Sequence, residues 1–173
     1  MRWKRFLVPL LFLLGMYLDA IFFARVRFYG VHPDVLVAAM VSYGVLMGGL
    51  PASILGCLLG LYMDVMFGKS IGLSAISYMI AGYAGGLFFQ KFYADNAVIP
   101  AVTAAAGQFV QEHIMAAAML LRGGSLRYLP ALTTHILPCT LITGLLCIPL
   151  HLLMRYALEQ QTRLRGSETH HGG

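Results

Sequence analysis

Long apolar stretches alternate with short polar or Gly/Pro-containing joints along almost the whole chain. The joints divide it into six predicted spans: Phe6–Ala24, Asp34–Leu50, Ala52–Phe67, Ile71–Phe89, Ala97–Leu121 and Pro130–Tyr156. His32-Pro33-Asp34 reads as a helix start, because Pro suits the first turn and Asp favours the positive end of the helix dipole. Pro51 restarts the chain at once, so the second and third spans form a hairpin with almost no loop. The third span, at 1.5 Å per residue, covers roughly 24 Å against a hydrocarbon core of about 30 Å, so neighbours or local thinning must meet its ends. Residues 1–158 are read as one six-helix transmembrane domain. The tail 159–173 is read as polar, disordered and cytoplasmic.

Between Gly44 and Gly72 every fourth residue is Gly, Ala or Asp: Gly44, Gly48, Ala52, Gly56, Gly60, Asp64, Gly68, Gly72. That spacing puts small residues on one helix face, where another backbone approaches closely. Gly82 and Gly86 repeat the motif in the fourth span. Gly44, Gly48, Gly56, Gly60, Gly72, Gly82 and Gly86 are therefore the candidates for helix packing or partner contact.

Composition agrees with a bilayer. The 173 residues are 59% hydrophobic and 11% charged, with mean hydropathy +0.76. A soluble domain averages about 45–50% apolar and about 25% charged. A chain this short has no soluble core large enough for so much apolar surface. The net charge of +5 sits on scattered helix ends and loops, which points away from nucleic acid. The N-terminal apolar run follows Arg2, Lys4 and Arg5. It is too long for a signal-peptide core and lacks a cleavage pattern, so it is read as a retained first helix. Counting Lys and Arg on the flanks favours both termini in the cytoplasm. Cys57, Cys139 and Cys147 lie in apolar segments without metal-ligand spacing and read as small core residues.

The intramembrane polar candidates are Asp19, Asp64, Gln108, Gln111 and Glu112. A carboxylate in an apolar helix costs several kcal/mol unless paired. For Asp64, two readings stand. It snorkels to pair with Lys69 or another outer base, or it makes a polar contact between helices or subunits. Asp19 lies at comparable depth, so one outer cluster of both acids with Lys69, Arg25 and Arg27 is expected. Residues 108, 111 and 112 share a helix face, and His113 turns away. Glu112 and His113, with His135 as a third ligand, suggest a metal site. Helical zinc motifs, however, space their ligands at i and i+4, and H-E-x-x-H is absent, so no metal or other cofactor is expected. No nucleophile elbow, P-loop or dinucleotide fingerprint occurs, and no catalytic residues are assigned.

The run Gly56-Cys57-Leu58-Leu59-Gly60-Leu61-Tyr62-Met63-Asp64, followed by Gly72-Leu73, Tyr78, Gly82-Tyr83 and Gly86, resembles the signature of the rod shape-determining protein MreD family. That resemblance implies a non-enzymatic scaffold in the bacterial cytoplasmic membrane, within the machinery of side-wall peptidoglycan synthesis. The implied partners are MreC and, directly or through it, MreB, RodA and a penicillin-binding transpeptidase. It also implies a six-helix fold like the substrate-binding subunits of energy-coupling-factor vitamin transporters. A vitamin-binding subunit of such a transporter is accordingly the rival function.

Overall fold

A computed structural model describes residues 7–19, 33–67, 72–89, 96–123 and 128–169, with backbone alone at 7–9, 128–129 and 159–169. Its helices are α1 (Leu7–Tyr17), α2 (Val35–Met47), α3 (Gly49–Phe67), α4 (Leu73–Gly86), α5 (Val98–Leu121) and α6 (Tyr128–Ala131). A π-helical segment, Leu132–Ile136, leads into α7 (Leu137–Thr169). No strand occurs among the described residues. The helices follow the six predicted apolar segments in order, and two of them, among the described residues, are long and apolar enough to span a membrane. The basic residues expected at loops and ends, Arg2, Lys4, Arg5, Arg25, Arg27, Lys69, Lys91 and Arg127, lie outside the described residues.

Helix α2 is the axis of the bundle, in contact with α1, α3, α4, α5 and α7. Leu36, Val37, Ala38, Ala39, Met40 and Val41 are all buried. A helix apolar all round belongs inside, and α2 has no polar face to offer water. Its 13 residues span only about 20 Å, less than the hydrocarbon thickness, so at least one terminus lies at membrane depth.

The outer surface reverses the soluble pattern. Leu50 is 72% exposed and Leu145 71%, whereas Asp64 and Gln108 are each 1% exposed. Exposed leucines around buried acids and amides are what a lipid solvent selects. Among the described residues, Gly49–Met66 and Leu132–Leu158 are long and apolar enough to cross a bilayer.

The hairpin between the second and third spans breaks one turn earlier than expected. Gly48, not Pro51, makes the turn, with φ +99°, a conformation that L side chains rarely adopt. Pro51 instead sits in the first turn of α3, where its missing N–H costs nothing. At the other end of the chain, the polar tail expected to be disordered begins as a helix, because α7 continues to Thr169. The π segment lies just before Pro138, whose missing N–H leaves the Thr134 carbonyl without its usual donor. There the ladder takes the wider register, with Leu137 N donating to Leu132 O.

Candidate functional site

The buried N-terminus of α2 gathers side chains from across the bundle. The first N–H groups of a helix have no intrahelical acceptor, and in hydrocarbon no water replaces one. Here each has a protein partner. Asp34 N donates to Thr143 Oγ1 on α7 at 3.1 Å. Val35 N and Leu36 N donate to the two oxygens of Asp19, each at 2.8 Å. Val37 N donates to Asp34 Oδ1 at 3.0 Å, the N-cap bond. Asp34 Oδ2 then accepts from Tyr78 Oη on α4 at 3.0 Å and from Gln111 Nε2 on α5 at 2.6 Å. Two carboxylates therefore sit at the positive end of the α2 dipole. Gln111 lies mid-way along α5, so the hub joins the ends of α1 and α2 to the middle of α5.

Sequence reasoning placed Asp34 at a helix start but missed it as the centre of this network. Asp19 was singled out, and its bonds go to backbone N–H groups. The cluster expected between Asp19, Asp64 and Lys69, Arg25 and Arg27 involves bases outside the described residues.

Asp64 repeats the arrangement on the neighbouring hairpin. Its Oδ2 accepts from Gly72 N at 2.7 Å and Ser74 N at 3.1 Å, closing the start of α4. Of the two readings for Asp64, the contact between helices is the one seen, within a single chain. Gly72, with φ +94°, turns its N–H towards that carboxylate.

The glycine row is spent on the same hairpin and on α2. A Cβ built at Gly56 would lie 2.6 Å from Tyr78 O, and one at Gly82 would lie 2.8 Å from Ala52 O. Gly44 faces the Gly82 and Gly86 backbone, Gly60 faces Ala75, and Gly86 faces Gly49. These close approaches lie inside the bundle, so Gly44, Gly56, Gly60, Gly82 and Gly86 pack this chain's own helices, whereas Gly48 meets only the Phe89 ring and a Cβ at Gly72 would meet nothing within 4 Å.

Gln108 and Gln111 are buried together on α5, as their spacing predicts, and His113 turns away to bond Phe109 O at 2.8 Å. Gln108 Nε2 donates to Glu112 Oε1 at 3.0 Å, and Glu112 Oε2 lies 3.5 Å from His135 Nε2. Cys139 joins them, one turn beyond His135.

A family model described as the rod shape-determining protein MreD matches residues 2–158. The chain belongs to the MreD family. This is a membrane protein family with a role in rod shape determination, and it is not a known enzyme family. Comparison with curated proteins and with solved structures finds no match.

Asp64 carries its own test. A single oxygen makes both of these hydrogen bonds, and Oδ1 has no partner among the described residues. Asn places one carbonyl oxygen where Oδ2 sits and keeps both acceptor contacts. Asp64→Asn is expected to lower stability by no more than about 1 kcal/mol. Asp64→Leu, which orphans the Gly72 and Ser74 N–H groups, is expected to cost about 2–4 kcal/mol. Thermal unfolding in detergent measures both, and equal losses would show that the charge, not the hydrogen bonds, is what α4 requires.

Proposed function

We propose that this MreD-family chain is a non-enzymatic, multi-pass scaffold of the bacterial cytoplasmic membrane. In this reading both termini are cytoplasmic, and the chain supports side-wall peptidoglycan synthesis. It works by assembly with MreC, and with MreB, RodA and a penicillin-binding transpeptidase directly or through MreC. The observation that carries the reading is the family match across residues 2–158. The internal chemistry is consistent with it. Asp19, Asp34, Tyr78 and Gln111 bond the start of α2 and one another, which ties that terminus to α4 and α5. With the glycines turned inward, the surface left for a partner is the exposed apolar one, including Leu50, Leu58 and Val65. Helix association there gains dispersion contacts and has no hydrophobic term, since lipid is as apolar as leucine. The six-helix bundle of energy-coupling-factor binding subunits stays the expected fold relative.

The experiment is to tag the chain in its native host, extract it in mild detergent and identify co-purifying proteins by mass spectrometry. MreC, RodA or a penicillin-binding transpeptidase is expected. Recovery of transporter ATPases with their membrane coupling subunit would overturn the reading in favour of vitamin uptake.

A further inference from the structure

We propose that Glu112, His135 and Cys139 form a binding site for one divalent, borderline-soft metal ion, with Zn2+ the first candidate. One ligand atom from each, a carboxylate oxygen, an imidazole nitrogen and a sulfur, lies within 4.8 Å of the other two. The set unites donors that Zn2+ takes and that Mg2+ and Ca2+, which prefer all-oxygen shells, do not. His135 and Cys139 are four apart, the i, i+4 spacing that puts two ligands on one face, and His135 Nδ1 lies 3.9 Å from Sγ. Glu112 comes from α5 on the opposite side of the contact between α5 and α7.

Two further observations bear on the site. Gln108 holds Glu112 Oε1, which leaves Oε2 turned towards His135. A hydrogen bond that orients a ligating carboxylate in this way is typical of metal sites. His135 also rides on the π-helical segment Leu132–Ile136, a rare backbone form that concentrates at functional positions. The fourth position of a tetrahedral ion would be filled from outside the triad, by water or another side chain. Cys139 is buried and must bind as thiolate, losing its proton to solvent as the ion enters. An ion there would pin α5 to α7. This site rests on geometry alone and is independent of which proteins the chain assembles with.

The test uses the full chain in detergent, with His170→Ala and His171→Ala introduced first, because that terminal His pair binds metals without any fold. After chelation and desalting, Zn2+ is titrated and the retained metal counted by elemental analysis. Co2+ is titrated in parallel as a spectroscopic probe. About one ion per chain is expected, with a sulfur-to-cobalt charge-transfer band. His135→Ala and Glu112→Gln should each weaken binding at least about tenfold, and Cys139→Ser, nearly isosteric, should abolish the band. Matched gel-filtration profiles show that the variants fold. Zn2+ retention equal to that of the His135→Ala/Cys139→Ala double variant, or a Co2+ complex without the band, would overturn the site.

Discussion

Asp34→Leu is expected to leave little or no folded protein in detergent, although the chain still inserts into the membrane. The loss follows from the contacts of one carboxylate. Leucine leaves Val37 N, Tyr78 Oη and Gln111 Nε2 without the acceptor that Asp34 gives them. Each buried orphan costs about 1–3 kcal/mol, and coupled losses add incompletely, so about 3–6 kcal/mol is the expected total. That is comparable to the whole stability of an ordinary domain, about 5–15 kcal/mol. Asp34→Asn is the informative control. Both oxygens of Asp34 are engaged by donors, so an amide turns one N–H against another unless Gln111 rotates to present its oxygen. Asn at position 34 should therefore cost more than Asn at position 64, where one oxygen does everything. Yield of monodisperse protein and the melting temperature read this order. Equal, mild effects at both positions would mean that the α2 terminus finds other acceptors.

How much of this was legible follows from the range over which each signal acts. The apolar runs and their joints are local, and they placed the helices well. The four-residue glycine spacing is local too, and it named the faces that touch. It did not say whose backbone they touch, because a smooth face looks the same towards a partner as towards its own hairpin. The bonds from Asp19 reach Val35 and Leu36, 16 and 17 residues on, and those of Asp34 reach Tyr78, Gln111 and Thr143 on separate helices. No spacing rule links residues so distant in the chain. For Asp64 the expectation of a basic partner followed from charge. The contacts seen are with backbone N–H groups at the start of α4, eight and ten residues on, and the bases lie outside the described residues. At the Glu112 cluster the signal was present and overlooked. His113 has no i, i+4 ligand partner, while His135 and Cys139 carry that spacing further along the chain.

Gly60→Leu is expected to split the α3–α4 hairpin, and here even one methyl matters. A Cβ at position 60 would lie 2.6 Å from the Ser74 carbonyl carbon and closer still to the Ala75 backbone. Backbone does not rotate out of the way as a long side chain does, so the helices must separate. Overpacking of this kind costs about 1–3 kcal/mol for a single added group, which is the expectation for Gly60→Ala. Leucine adds three more carbons at a contact with no slack, and its cost should exceed that range. The damage should also spread. Asp64 lies one turn beyond Gly60, so moving α4 away stretches its bonds to Gly72 and Ser74 and loosens the start of that helix. In a double-mutant cycle, Gly60→Ala and Asp64→Leu should therefore be less costly together than the sum of their separate effects. Leu58→Ala, at a position 61% exposed on the same helix, should leave the melting temperature nearly unchanged. If Gly60→Leu instead melts like the unaltered protein and loses only its co-purifying partners, the glycine face is an external docking surface, and the internal packing assigned to it is wrong.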